Sequence, residues 1–429
     1  MIDNLFEAFS TIFTELPGKT NCIEHKIETT TDEPVRSKPY KIPFAMQQVV
    51  KEEIDKMLSL GIIEPSTSPY ASPIVLVKKP DNSHRFCVDF RKLNKISIFD
   101  AEPIPNPNSM FVNMQKSKYF TKLDLSSGYW QVPVAKEDRP KTAFTCSEGL
   151  FQFVYMPFGL INAGATFTKL MRIVLYGLDG VENYIDDVGI HTETFEEHIV
   201  LLHKVFSRLA QYNLTVKPSK CMVACSSIPF LGKIVGEECI KPSDANVEKI
   251  SNADVPKTKK QLRSFLGMCN YYRNFIDQYS SIALPLTDLT RKGSPNHVMF
   301  DEKCMNAFKL LKSKISSKPI LQIPNFDSPF YLQCDASDTA VGAALMQEKD
   351  GHLLPIEYAS RKFLPRERNY STIEKECCAI FWSINHFQEY LYARCFILQT
   401  DHKPLEYLNT ARVTNPRLSR WALSLQPYK

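Results

Sequence analysis

The chain has 429 residues, enough for two or three domains that each bury a core of their own. A hydrophobic fraction of 44% and a charged fraction of 23% exclude a disordered or fibrous chain, and a net charge of +5 permits a nucleic-acid partner without demanding one. There is no run of eighteen apolar residues, and Met1-Ile2-Asp3-Asn4 does not read as a signal peptide, so neither a membrane nor a secreted setting is expected. The twelve cysteines show no disulfide framework, and neither Cys377-Cys378 nor the Cys221/Cys225 pair is joined by a spaced histidine pair. Reduced, mostly buried thiols are the expectation.

Residues 1–44, with Pro34, Pro39 and Pro43, read as an extended leader that wraps a domain. Met46, Val49, Val50, Ile54, Met57 and Leu58 mark one stripe of a helix that Gly61 stops. Strands at Ile74–Lys78 and Arg85–Asp89 flank the turn Pro80-Asp81-Asn82-Ser83 and predict a hairpin. Pro103, Pro105 and Pro107 predict a further extended passage, and Tyr119–Asp124 reads as a strand ending at a carboxylate. An amphipathic helix follows from Phe195 to Leu209, and Thr258 with Gln261 forms the capping box of another that runs to Tyr271-Tyr272. Beyond Ser313–Pro319 come strands Phe330–Cys334, Ala343–Met346 and Leu354–Tyr358. A helix capped by Ser371 and Glu374 and a strand Phe396–Thr400 then complete a second α/β domain.

Asp186 and Asp187 are adjacent in Tyr184-Ile-Asp-Asp187, between Gly180-Val181 and Val188-Gly189-Ile190. Like charges held together in a partly apolar segment call for a neutralising cation, and a divalent one on carboxylates usually acts on phosphates. Asp124, at the end of its own strand, is a third carboxylate for such a cluster. Lys78, Lys79 and Arg85 on the upstream hairpin and Lys220 downstream are candidate phosphate contacts. Adjacent residues of a strand point to opposite faces, so only one of Lys78 and Lys79 can serve.

Several ordered blocks carry a resemblance. Ser68–Pro73, Arg85–Asn94, Leu123–Gln131, Lys141–Phe144, Met156–Ala163, Tyr184–Asp187, Phe230–Gly232 and Phe265–Tyr272 resemble the reverse transcriptase of Gypsy-type (Metaviridae) LTR retrotransposon Pol polyproteins. The resemblance implies an α+β fold: a right-hand polymerase (fingers, palm, thumb) followed by a truncated α/β ribonuclease H-like domain. It divides the chain at 1–44, 45–240 (fingers and palm), 241–318 (thumb or connector) and 319–429. It implies that Asp124 and Asp186 hold magnesium, or manganese in its place, with Asp187 supporting. It also implies that Arg85 and one of Lys78/Lys79 contact the triphosphate and that Tyr129 is the steric gate against a ribose 2′-hydroxyl. Phe158 and Gly159 become the nucleotide pocket floor, Lys220 the late palm lysine, and Phe230-Leu231-Gly232 the primer grip. The implied partners are RNA or DNA template, primer, RNA–DNA hybrid and deoxynucleoside triphosphates, in a cytoplasmic, particle-associated setting with nuclear access open. Two positions depart from the family pattern, Gly164 in place of Pro or Ser and Asn183 before the tyrosine.

In the last third, Asp335, Glu376 and Asp401, with Tyr358–Arg361, Tyr370 and Arg420-Trp421, resemble the fused ribonuclease H domain. The resemblance places the metal-binding glutamate on Glu376 and leaves Glu374 as the helix cap. It calls for a fifth strand, a last helix and a fourth carboxylate beyond Trp421, so ribonuclease H activity is expected to be weak or missing. Two alternatives stand beside the active polymerase: a retrotransposon-derived fragment that binds nucleic acid or a protein without catalysis, and a cellular polymerase palm. Lys257, Lys259, Lys260 and Arg263 are candidates for a basic groove along the thumb, or simply a solvated helix face.

Overall fold

The computed structural model describes residues 2–78, 84–236, 238–400 and 416–428. The chain divides into two units, the first ending at Ile228. The predicted turn at 80–83 lies outside the described residues, as do Lys79 and Asp401.

The first unit holds two sheets. Five strands run in the order Ile63–Pro65, Gly149–Phe153, Phe144–Cys146, Ser72–Lys78, His84–Val88. Ser72–Lys78 and His84–Val88 pair antiparallel, as the hairpin expectation requires. The second sheet has the order Val181–Tyr184, Asp187–Thr192, Tyr119–Asp124, Met222–Cys225, with every neighbour antiparallel. Helices Ala163–Val174 and Phe195–Gln211 contribute Phe167, Leu170, Leu202, Val205 and Phe206 to the buried core of this unit. Thr194 and Glu197 form a full capping box that starts the second of these helices, satisfying amides the helix cannot pair itself.

The leader differs from its expectation at its start. Ile2–Ala8 is helical, and Phe6, Phe9 and Phe13 surround Phe206 at ring separations of 6.3, 5.9 and 5.1 Å. Burying an aromatic face of this kind contributes roughly 1.5–3 kcal/mol, which outweighs the weak helix preference of so short a segment. From there the leader does run extended, touching the domain through the bridges Phe13–Val216, His25–Val134, Thr29–Ser97 and Arg36–Ala71. At Gly18 the strap passes so close to Asn213 that an added Cβ would collide with its carbonyl oxygen. Pro107 also departs from its expectation. It opens the helix Pro107–Asn113, whose cap is the Asn106 side chain accepting from the Asn108 amide. Proline suits a first helical position, where no amide partner is needed.

In the second unit, strands Lys233–Gly236, Cys239–Pro242 and Leu321–Gln322 continue a sheet that begins with Ser227–Phe230. Helices Asp244–Ser251, Lys259–Tyr271 and Glu302–Ser316 pack against one another, with Phe265 on Phe308 at 4.6 Å. The capping box at Thr258 and Gln261 is present as predicted. Ser313–Ser316, read from sequence as the start of a separator, instead finish the helix from Glu302. Lys259 turns inward and donates to the carbonyls of Arg291 and Ser294, so it is a buried tie and not a groove lysine. A last sheet has the order His352–Lys362, Ala340–Lys349, Phe330–Ala336, Phe396–Gln399, the final pair being parallel. Helix Thr372–His386 covers one face through Cys377, Ile380 and Ile384, and its capping box is the predicted Ser371 and Glu374. All twelve cysteines are free thiols. No described helix is long and apolar enough to cross a membrane.

Two buried histidines tie the first unit together. His198 meets Thr121 at 2.8 Å and Thr192 at 3.0 Å, while His25 meets Thr166 at 2.8 Å. Burial pushes both imidazoles down from 6.5 to about 4. Their folded values lie below the unfolded one, so the unfolded chain binds more protons between those limits. Stability is therefore full above about pH 6.5 and falls until about pH 4, by about 3 kcal/mol per histidine at most. We expect the urea midpoint to drop over that window and the drop to shrink in His198→Gln; a midpoint flat from pH 6.5 to 4 would contradict the assignment.

Candidate functional site

The tip of the second sheet is built around charge. Tyr184 pairs with Asp187 across the hairpin, leaving Ile185 and Asp186 as its two-residue turn, and Asp187 is the register partner of Asp124 on the neighbouring strand. The three carboxylates predicted to meet are thus brought to one end of one sheet. Ile185 adopts φ 57°, a left-handed conformation that a β-branched residue enters only under strain. The tight turn is held by the ladders on either side of it.

The carboxylates differ in their surroundings. Asp187 is ion-paired to Lys122 at 2.7 Å, and Asp124 meets Lys220 at 3.2 Å. Desolvation by the surrounding protein raises the Asp186 carboxyl above the ordinary range, and the charges of Asp187 and Asp124 add to that. No group of three or more acidic, histidine or cysteine side chains that could hold a metal occurs among the described residues. In kind, however, the donors fit a hard divalent cation: they are all oxygen, and Asp186 sits where added positive charge is favoured. Such a cation would have to take over the role of Lys220 on Asp124.

A cavity of about 580 Å³ opens beside these groups, and Arg85, Asp124, Tyr129, Phe158, Asp186 and Lys220 all line it. Tyr129 follows Ser127, at φ 51°, and Gly128, where an added Cβ would lie 3.0 Å from Phe167. Its ring stacks on Phe158 at 5.0 Å and contacts Phe167 at 5.5 Å. Burial raises the Tyr129 phenol, and nearby Asp186 adds to the effect. Gly159 stands just behind the wall: its φ is 96°, and its carbonyl accepts from Asn94 at 2.9 Å. Asn94 also accepts from the Ile161 amide, which explains why the Arg85–Asn94 and Met156–Ala163 blocks work as one piece. Lys78 is exposed and does not line the cavity, so Arg85 is the cation of this hairpin that reaches it among the described residues.

Two lysines were missed from sequence. Lys122 stands two residues before Asp124 and shares its strand face, a signal that period-two alternation carried. Lys217 lines the cavity, donates its amide to the Asp124 carbonyl and pairs with Glu15 of the leader at 2.6 Å. No local pattern could have linked it to residue 15. The departure at Asn183 leaves its Oδ1 buried with no partner among the described residues. Gly164 lies near the Tyr129 hydroxyl, where a Cβ would approach to 3.8 Å.

Phe230, Leu231 and Gly232 form a tight turn. Phe230 is fully buried, Leu231 and Gly232 have φ of 46° and 71°, and their carbonyls accept from the hydroxyls of Tyr271 and Tyr272. In the last sheet, Asp335 accepts from Gln278 at 2.9 Å, while Glu376 is buried on the helix facing that sheet. Both add to the burial that pushes the Cys334 thiol up to about 12. Glu374 is the helix cap, as expected, and also pairs with Arg417 at 2.8 Å.

A mixed α/β unit with paired strand-end carboxylates, followed by a sheet of three antiparallel strands, a covering helix and a parallel fourth strand, is the architecture of a reverse transcriptase with a ribonuclease H-like domain. Residues 77–235 match the family described as reverse transcriptase (RNA-dependent DNA polymerase), and 325–428 match the RNase H-like domain found in reverse transcriptase. These segments belong to those two families, and the chain as a whole is similar to the corresponding region of Gypsy-type retrotransposon Pol polyproteins. It is 38% identical over its full length to the Pol polyprotein from transposon opus of Drosophila melanogaster, covering 45% of that protein. It is 36% identical over 97% of its length to that of transposon gypsy, covering 41%. The chain thus spans less than half of the polyproteins it matches. Among solved structures, a foamy viral protease-reverse transcriptase in complex with dsDNA aligns with TM-score 0.87 and 25% identity, over 99% of this chain and 90% of that one. The same enzyme in complex with RNA/DNA hybrid aligns with TM-score 0.83, also at 25% identity, over 99% and 58%.

The turn at Gly232 is testable. Gly232→Ala forces φ near 71° on a residue with a Cβ and places that atom 3.2 Å from the Tyr271 hydroxyl. It should lower stability by about 1–2 kcal/mol, read as a lower melting temperature; an unchanged melting curve would show that the turn relaxes freely.

Proposed function

We propose that this chain is an RNA-directed DNA polymerase that adds deoxynucleotides to a primer 3′ end on an RNA or DNA template. The observation that carries the reading is the convergence of Asp124, Asp186, Tyr129, Phe158, Arg85 and Lys220 on one cavity. Reverse transcriptases and ribonuclease H domains generally use divalent metals. Magnesium, or manganese in its place, held by Asp124 and Asp186 would activate the primer hydroxyl and balance the charge of the triphosphate. Arg85 and Lys220 bind the phosphates, and release of Lys220 from Asp124 frees that carboxylate for its ligand. Asp187, kept by Lys122, adds negative charge behind Asp186 and braces the hairpin. Tyr129, wedged between Phe158 and Phe167, closes the floor where a ribose 2′-hydroxyl would project. Phe230–Gly232 steadies the primer.

In this reading fingers and palm occupy 45–240, a thumb or connector 241–318, and the ribonuclease H-like domain 319–429, behind the leader 1–44. Asp335 and Glu376, with Asp401, are the carboxylates this domain would use on the RNA strand of a hybrid. The double-stranded DNA and the hybrid named with the foamy viral structures support nucleic acids of these kinds as partners. A particle-associated intracellular setting goes with the Pol relatives.

Primer extension on poly(rA)/oligo(dT) with magnesium tests the reading. Asp186→Asn should lower incorporation roughly a thousandfold or more. Wild-type protein that binds hybrid yet incorporates nothing would leave a non-catalytic binder instead. Tyr129→Val should raise ribonucleotide use relative to deoxynucleotide use by about tenfold or more; unchanged discrimination would remove Tyr129 from the gate. Release of labelled RNA from a hybrid, compared between wild type and Asp335→Asn, reads the second site separately.

A further inference from the structure

We propose that the outward cleft between helices Thr372–His386 and Pro416–Leu425 binds the phosphate backbone of a nucleic-acid strand. It is a cavity of about 400 Å³ in which Arg361, Tyr370 and Arg420-Trp421 meet, three motifs that the carboxylate chemistry leaves without a role. The cleft is separate from the Asp335–Glu376 pair. Glu376 lies on the side of its helix that faces the sheet, whereas Phe381, Trp382 and Asn385 follow it by five, six and nine residues. At about 100° per residue these project from the other side.

Charge points to the ligand. Four arginines line the cleft. Arg361 is held bidentately by Glu367 at 2.5 and 3.1 Å, and Arg417 by Glu374 at 2.8 Å. Arg366 and Arg420 are exposed and make no ion pair among the described residues, though the charge of Arg366 is felt by Glu367. Arg420 spends only its Nε, donated to the Pro416 carbonyl at 3.2 Å, so its outer nitrogens remain available. Two exposed guanidinium groups without an ion pair on one cleft attract an anion, and the planar fork matches a phosphodiester.

The aromatic groups make the cleft rigid. Trp421 stacks on Phe381 at 5.9 Å and 22°, Arg417 lies over Tyr370 at 4.2 Å, and Arg361 lies over Trp382 at 5.7 Å. The paired arginines are thereby locked as wall, and the unpaired ones stand exposed beside it. A peptide acid would satisfy the charge as well, but the guanidinium fork matches a phosphodiester bidentately and the cleft lies in a segment of the RNase H-like domain family, so the strand is favoured. The strand is one belonging to the RNA–DNA hybrid proposed above as a partner, and the inference rests on that reading.

The test is binding of a fluorescent RNA–DNA hybrid to the full chain across a range of salt. Removing both exposed charges in Arg366→Ala/Arg420→Ala should weaken binding about tenfold at low salt and reduce the slope of log affinity against log salt by about two. The conservative pair Arg366→Lys/Arg420→Lys should keep the slope, because charge is retained, while losing part of the affinity. Primer extension at saturating primer–template and the melting temperature should stay at wild-type levels, since neither arginine lies in the polymerase cavity. Unchanged affinity and slope in the alanine pair would overturn the proposal and leave the polymerase reading intact. Wild-type protein that fails to bind hybrid would overturn both.

Discussion

Everything in the first unit is arranged around the repulsion between three carboxylates at one sheet end. Asp124 and Asp187 are neighbours across a ladder, and Asp186 occupies the turn beside them. Left alone, such a group would spread or take up protons. The chain counters this with geometry and with charge. The antiparallel ladders hold Ile185 in a conformation it would not otherwise adopt, and Lys122 and Lys220 each supply a positive partner. Asp186 is the carboxylate of the three left without a direct ion pair among the described residues, and burial first, then the charges of Asp187 and Asp124, hold its carboxyl above the ordinary range.

The supports of that site reach far along the sequence. Gln131 donates its side-chain amide to the carbonyls of Ser126 and Thr215 and accepts from the Thr215 amide, joining the loop that carries Tyr129 to the loop that carries Lys217 and Lys220. The leader closes the same seam: Thr20 donates to the Gln131 carbonyl, Ser126 donates to the Thr14 carbonyl, and Glu15 pairs with Lys217. The extended segment is therefore tied to the loops that line the proposed polymerase cavity. Its aromatic anchor on Phe206 gives it a firm start.

The second unit repeats the use of strand-end acids but embeds them differently. Glu357 is buried on the sheet, accepts from Asn274 at 2.7 Å, and is pushed up to about 7 by burial against the pull of Lys233. Ser280 donates its amide to the Ser360 hydroxyl, and Gln278 reaches Asp335. The segment after the helix Lys259–Tyr271 thus grips the last sheet at several points. A proposed nuclease carboxylate lies directly under that grip.

Much of this was legible in the sequence wherever the signal is local. The capping boxes at Thr258 and Ser371, the strand at Phe330–Cys334 and the adjacency of Asp186 and Asp187 follow from hydrogen-bond demand, strand propensity and chain order, which need no distant partner. The ordered blocks likewise implied the candidate cavity, and Asp124, Asp186, Tyr129, Phe158, Arg85 and Lys220 do converge on it. Where the sequence misled, a distant contact decided. Phe206 turns Ile2–Ala8 helical, carbonyls of a remote loop draw Lys259 inward, and the strand end leaves Lys78 outside the cavity. Composition and spacing determine which residues can carry chemistry; which cations stand next to which carboxylates depends on register and packing between segments far apart in the chain, and only the tertiary structure decides that.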